Sequence, residues 1–295
     1  MIYDLIVIGG GPAGINAAIY AKRSGKNVLI LEKNSFGGVI ATTGVVENYL
    51  GIPNVNGFEL SNRFFEHLKS LDIAYDLKEV LDIELDGSKK RVITTSGVIL
   101  AKNIIVATGR RPKLLDLTNS RELLGKGIST CAQCDANFFK GKNVAVVGGS
   151  NSAVDEALYL SNIVDKVYLI HRKNDFSADI ETVEKAKERD NIEIIYDANV
   201  TKINSLDDRL SSIEVNKTRI IEVSGLFMYV GYTPNTEFLE KLNILDEKGY
   251  VIVDSKFETN IEGIFACGDI IKKDYYQLIG AASDGMLAAL YASKH

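Results

Sequence analysis

Cysteine, histidine and long apolar runs are all scarce in this sequence. Three cysteines and three histidines in 295 residues leave no disulfide framework of the kind that staples small secreted domains. No stretch approaches the roughly 18 uncharged apolar residues of a membrane span. The segment from Met1 to Ile8 has no basic region, no long apolar core and no small-residue cleavage site; no secretory signal is read there, and a cytoplasmic location is expected. A basic surplus is missing too. The formal charge is -5 and the pI about 5.4, which offers no general surface for nucleic acid or a membrane and points to a small polar or neutral client. Apolar residues, at 46%, are plentiful, so the chain is globular and long enough for two domains.

The chain also repeats itself. Ile8-Gly9-Gly10-Gly11-Pro12-Ala13-Gly14-Ile15 and Val147-Gly148-Gly149-Ser150-Asn151-Ser152-Ala153-Val154 align without a gap, 139 residues apart. Each copy follows a β-rich apolar run (Leu5 to Ile8; Val144 to Val147) and opens a helical pattern, with Pro12 suited to the first turn and Gly25 to the stop. Each is followed by another strand, Asn27 to Glu32 and Lys166 to Arg172. A second echo links Ile105-Val106-Ala107-Thr108-Gly109-Arg110-Arg111-Pro112 to Met228-Tyr229-Val230-Gly231-Tyr232-Thr233-Pro234. The expected fold is α/β with two Rossmann-like dinucleotide-binding domains. Residues 1–112 begin the first, 113–237 form the second as an insertion, and 238–295 complete the first.

In the first copy, Gly9 makes the tight turn, Gly11 lets the backbone approach a pyrophosphate, and Gly14 packs helix on strand. Glu32, 18 residues after Gly14, is placed to accept hydrogen bonds from an adenosine ribose. The second copy differs in two ways. His171-Arg172-Lys173 stands where the acid belongs, and cations there suit a 2′-phosphate, hence NADPH. Ser150 replaces the pyrophosphate glycine and takes up room at the closest approach.

Cys131-Ala132-Gln133-Cys134-Asp135 lies between the copies. Zinc needs three or four ligands, whereas Cys267, His67, His171 and His295 stand in no ligand spacing to this pair; no metal is expected. A fixed disulfide closing so small a loop stabilises little. A cycling dithiol remains: a flavin would relay two electrons from the nicotinamide to the cysteines, and Asp135 would shuttle the proton.

With these pieces in this order the chain resembles the low-molecular-weight thioredoxin reductases of the class II pyridine nucleotide-disulfide oxidoreductases. The resemblance rests on Gly9 to Gly14, Gly37-Gly38, Val46-Glu47-Asn48-Tyr49, Ala107-Thr108-Gly109, Cys131 to Asp135, Gly148 to Ala153, His171-Arg172-Lys173, Gly231-Tyr232-Thr233-Pro234, Ala266-Cys267-Gly268-Asp269 and Tyr276-Gln277. It implies FAD in the outer domain, held by Gly9, Gly11, Pro12, Ala13, Gly14, Glu32, Gly38, Val39, Thr43, Asn48, Ala107, Thr108, Gly109, Gly268, Asp269, Tyr276, Gln277 and Leu278. It implies NADPH on Gly149, Ser150, Asn151, Ser152, Ala153, His171, Arg172, Lys173 and Gly231. A homodimer, a swivelling inserted domain and thioredoxin as partner follow from it, with Cys134 facing the flavin, Cys131 attacking thioredoxin and Asp135 moving the proton. Cys267 is expected to be a small buried residue.

The family pattern is broken in places. Besides Ser150, the basic run ends in Lys173 and Ser177 where the family has arginines, and Lys lacks the planar fork of Arg. Val39 replaces a glutamine, Ala136 a glycine and Tyr276 an arginine, and the second domain is short around Leu206 to Arg219. These changes leave the donor open between NADPH, NADH and reduced ferredoxin. A flavin redox sensor that does not turn over is the alternative from another class. The flavoprotein of a peroxide-reducing pair is disfavoured, since the chain starts directly at its first nucleotide strand.

Overall fold

The computed structural model describes residues 2–294, so Met1 and His295 lie outside it. Contacts divide the chain into two units, residues 1–111 with 233–295, and residues 112–232. The division leaves Thr233 to Glu237 with the first unit, whereas the sequence reading assigned them to the insertion. Hydrogen bonding accounts for the difference. Asn235 Nδ2 donates to Thr108 O at 2.9 Å, Thr108 Oγ1 donates to Asn235 O at 2.7 Å, Asn235 N donates to Gly109 O at 3.0 Å, and Glu237 pairs with Arg111.

The first unit is organised by strand Ile2–Ile8, whose last four residues are all buried. A run buried on both faces needs neighbours that cover both, the situation of parallel strands crossed by helices. Val28–Glu32 and Gly97–Val106 pair with it in parallel, and the sheet runs Ala74–Leu77, Val28–Glu32, Ile2–Ile8, Gly97–Val106, Lys89–Thr94, Val80–Asp86, with Ile264–Ala266 also on Gly97–Val106. Helix Pro12–Arg23 starts with Pro12 in its first turn, where the missing N–H is no loss, and stops at Ser24 before Gly25 at φ +77°. It buries Ala13, Ile15, Ala17, Ala18 and Ile19, packing on helix Leu278–Ala292 so closely that a Cβ on Gly285 would come 2.0 Å from Ala13 O.

The second unit repeats the plan on a smaller scale. Its parallel sheet runs Ile128–Ser129, Gly225–Tyr229, Asn143–Gly148, Lys166–Ile170, Ile192–Ile195. Helix Asn151–Ser161 crosses from Asn143–Gly148 to Lys166–Ile170. Val144, Val146, Ala157, Leu160, Leu169 and Phe227 form one core cluster. A three-stranded antiparallel sheet, Val200–Leu206, Arg209–Val215 and Arg219–Glu222, closes a second cluster around Ile203, Ile213 and Leu226. Both units place a strand, a glycine turn and a helix N-terminus in sequence, so each can receive a phosphate.

Candidate functional site: two nucleotide turns and a redox disulfide

The three glycines of the first turn are required for different reasons. Gly9 has φ +110°, and a Cβ there would lie 2.4 Å from Ala107 O. A Cβ on Gly14 would sit 1.9 Å from Gly9 O. At Gly11 the nearest neighbour would be Gly38 Cα at 3.8 Å; nothing in the protein fills that cradle, which is open at the start of the helix. Glu32 Oε2 accepts from Gly10 N at 2.7 Å and its Oε1 from Asn34 N at 2.9 Å. A cavity of about 360 Å³ runs beside them, lined by Gly9, Glu32, Lys33, Val80, Thr108 and Phe238 among others. The open cradle, the carboxylate and the cavity fit an adenine dinucleotide.

The other expected flavin residues gather in the same unit. Gly38 (φ +63°) backs onto Gly11, and Gly268 (φ +77°) lies against Ala13, where its own Cβ would stand 2.7 Å from that of Ala13. Val39 is about half exposed, and Thr43 Oγ1 reaches its carbonyl at 3.5 Å. Asn48 Nδ2 donates to Gln277 Oε1 at 3.2 Å, joining residues far apart in the chain just before Leu278 opens its helix. Asp269 pairs with Arg110 at 3.3 Å, and the Arg110 guanidinium stacks 3.5 Å above the Tyr276 ring. Lys273 lies 2.6 Å from Asp284 and 3.9 Å from Asp269. Arg110 was not singled out from the sequence; its only signal there was its place next to Ala107-Thr108-Gly109.

In the second unit, Cys131 and Cys134 form a disulfide with Cα atoms 5.4 Å apart. Cys131 caps the one-turn helix Ala132–Asp135, and its Sγ accepts from Cys134 N at 3.2 Å. Cys134 is exposed and Cys131 half-buried. Ser129 Oγ donates to Asp135 Oδ2 at 2.6 Å and accepts from Cys131 N at 3.0 Å, so the acid and the disulfide share one hydroxyl. Tyr229 OH accepts from Ala132 N at 3.0 Å, and burial raises the phenol's pKa. Behind this turn Glu156 is pushed up to about 7, first by burial and then by Asp155, against the opposing hydrogen bond of Gln133. Cys267 is wholly buried, which drives its thiol pKa up. Among the described residues no group of three His, Cys, Asp or Glu side chains could hold a metal.

The second nucleotide turn is tied down from one side. A Cβ on Gly148 would meet the Ala153 Cβ at 2.6 Å, and one on Gly149 would lie 2.0 Å from His171 Cε1. His171 is thus packed beneath the turn, stacked on Phe176 with centroids 5.0 Å apart, and its buried Nε2 has no hydrogen-bond partner. Ser177 donates from both N and Oγ to Gly149 O, at 2.8 and 2.9 Å. Asn151 and Asp179 exchange two hydrogen bonds, Nδ2 to Oδ2 at 2.8 Å and N of Asp179 to Oδ1 at 2.7 Å. Ser150 and Ser152 are exposed and Ala153 is buried. Arg172 and Lys173 are exposed and form no ion pair among the described residues. Gly231, at φ +105°, accepts Lys113 N through its carbonyl. The unpaired cations and the orphaned imidazole nitrogen fit a phosphate-bearing nucleotide. Ser177, expected here only as a lost arginine, holds the turn instead, and Phe176, Asp179, Tyr229 and Glu156 are residues that sequence patterning did not place here.

Comparison with known proteins agrees with this construction. A family model for pyridine nucleotide-disulphide oxidoreductases matches residues 3–285. A thioredoxin reductase of Ureaplasma parvum is 38% identical over 100% of this chain and 97% of its own length, and one of Bacillus subtilis is 37% identical over 98% and 93%. The crystal structure of Lactococcus lactis thioredoxin reductase matches with a TM-score of 0.92 at 37% identity, over 99% of this chain and 98% of that one. The chain, with its two glycine turns and its redox disulfide, belongs to the pyridine nucleotide-disulphide oxidoreductase family.

Proposed function

We propose that this protein is an NADPH-dependent flavoprotein that reduces the disulfide of thioredoxin. The overall reaction takes a hydride, two electrons with one proton, from NADPH and a second proton from solvent, breaks the thioredoxin S–S bond, and leaves two thiols and NADP+. Support comes from the full-length likeness to thioredoxin reductases. The single observation that carries the reading is the Cys131–Cys134 disulfide, set beside an acid in a unit that has its own nucleotide turn. The chemistry a bound FAD supplies is two-electron: hydride taken from NADPH and two electrons passed to a disulfide.

The chain's residues do the rest. Gly9 to Gly14 and the N-terminus of Pro12–Arg23 hold the FAD phosphates, and Glu32 orients the ribose side. Gly149 to Ala153 receive the NADPH pyrophosphate, while Arg172 and Lys173 neutralise the 2′-phosphate. Cys131 is the thiol that attacks thioredoxin and Cys134 its partner towards the flavin. Asp135, held by Ser129, gives and takes the proton. Anaerobic NADPH should bleach the flavin of the wild type and of Cys131→Ser and Cys134→Ser alike, while both variants lose thioredoxin reduction. Normal turnover by the doubly substituted enzyme would sink the assignment.

The protein acts as a homodimer in the cytoplasm on this reading. Among the described residues no helix is long and apolar enough to cross a membrane. Leu50, Phe58 and Tyr275 of the first unit are 88%, 62% and 82% exposed, a cost in water that a second copy would remove. Sedimentation at a monomer mass would refute the dimer.

A further inference from the structure

Gln133 sits between the two cysteines, and its side chain is hydrogen-bonded to Glu156 in the first turns of helix Asn151–Ser161. Glu156 Oε2 is sealed from solvent without any hydrogen-bond partner. An ionised carboxylate with one oxygen in that position is a buried, half-satisfied charge, which costs several kcal/mol unless a proton neutralises it. The equivalent residue of the first nucleotide helix is Ala17, wholly buried. The carboxyl is therefore no demand of the strand, turn and helix plan; it belongs to the unit that carries the disulfide. Nothing in the proposed reaction uses it.

We propose that Glu156 is a second acid of the redox centre, which keeps its proton behind the closed disulfide and controls, through Gln133, how readily the cysteines become thiolates. The inference rests on the reading that Cys131 and Cys134 cycle. Reduction breaks the S–S bond, adds the two electrons that NADPH supplies by way of the flavin, and takes one proton from solvent to give one thiol and one thiolate. Glu156 exchanges no electron, and its proton stays on the carboxyl. As a positioning residue it acts by charge. Neutral, it adds no charge near the thiolate; ionised, it adds a second negative charge to a turn that already carries Asp135.

The surrounding groups leave this role to Glu156. On its own helix Asp155 faces Asp179 and Lys185 of the neighbouring segment and raises Glu156 further. From strand Gly225–Tyr229 comes the Tyr229 phenol, which feels both Glu156 and Asp135. Strand Asn143–Gly148 contributes no titratable group, and Lys166 on Lys166–Ile170 is paired with Glu193. No cation among these groups stands against Glu156. Its titration near 7 falls in the range where thiols begin to ionise.

The test is the pH profile of iodoacetamide alkylation of the reduced holoenzyme, with mass spectrometry to locate the modified cysteine. The wild type should show an inflection near pH 7 before the thiols ionise. Glu156→Gln, which mimics the protonated acid, should lose that inflection and alkylate roughly three- to tenfold faster at pH 8, the effect of deleting one nearby negative charge. Gln133→Leu, which removes the hydrogen bond that favours the ionised form, should move the inflection to higher pH. A Glu156→Gln profile superimposable on wild type overturns the inference. If Glu156→Gln does not fold, an unmoved inflection in Gln133→Leu overturns it instead. A wild type whose Cys131 and Cys134 never become alkylatable after reduction would break the cycling dithiol itself.

Discussion

The two nucleotide turns are copies whose differences track their separate tasks. In both, the carbonyl of the middle glycine accepts a backbone N–H from the loop beyond the next strand: Gly37 N to Gly10 O at 2.8 Å, and Ser177 N to Gly149 O at 2.8 Å. An aromatic ring from that same loop, Phe36 or Phe176, packs at the turn in each. Beneath the turn the copies part. Glu32 gives Gly10 N a carboxylate acceptor, whereas His171 offers Gly149 a ring face. On the proposed reading the carboxylate suits a ribose with a free 2′-hydroxyl, and the second turn has no acid where a 2′-phosphate would sit. Shared backbone geometry makes the fold, and the side chain at the end of the second strand chooses the nucleotide.

The glycine that seals helix to strand gives the largest way to break the comparison. Gly14→Ala would thrust a methyl into Gly9 O and should lower stability by about 3 kcal/mol or more, with most flavin lost on purification. Ala153→Gly, its counterpart, should cost only about 1 kcal/mol in helix propensity. Urea midpoints and the ratio of bound flavin to protein measure both. Next comes the acid. Glu32→Ala should weaken FAD by about 1.5 to 3 kcal/mol, roughly ten- to a hundredfold, and leave the KM for NADPH unchanged. His171→Ala should do the reverse; a common defect in both variants would collapse the distinction.

A pH-gated difference separates Ala17 from Glu156. The folded-state pKa of Glu156, about 7, lies above its unfolded value of 4.5, so its stabilising effect is complete below 4.5 and is lost as pH rises through about 7. Glu156→Gln should therefore be more stable than wild type in denaturant at pH 8, and no different at pH 4.5. An equal gap at both values would place the effect in packing rather than charge. The smallest effect is expected from Ser177→Ala, which removes one of two hydrogen bonds to Gly149 O. It should raise the KM for NADPH by about two- to tenfold at constant kcat, the worth of about 0.5–1.5 kcal/mol.

Much of this was legible beforehand because it is local. The repeat announced two strand, turn and helix units, and Pro12, Gly25 and the buried runs Leu5 to Ile8 and Val144 to Val147 bounded the elements closely. Strand Lys166–Ile170 stops before Arg172, which leaves the basic pair on a loop rather than in the sheet. The hairpin Val80–Asp86 with Lys89–Thr94 went unread, since Leu81 and Leu85 stand at exposed positions and Lys90 at a buried one, which blurs the alternation. Arg110 over Tyr276 was unreadable for another reason. It joins residues far apart in sequence, and no spacing rule records which arginine of Arg110-Arg111 turns inward. Tyr276, expected among the flavin residues although it departs from the family's arginine, carries a cation of its own unit on its ring.

By itself the sequence determined the fold class, the two nucleotide turns and the redox character of Cys131 and Cys134. Backbone conformation, helix entry and thiol chemistry are properties of short segments, and short segments can be read. Tertiary structure alone decided that Ser177 clasps Gly149, that Ser129 links Asp135 to Cys131, and that one carboxyl oxygen of Glu156 is closed off from solvent without a partner. Desolvation and hydrogen-bond satisfaction depend on which distant atoms close over a group, and that is settled only when the sheets and helices have packed.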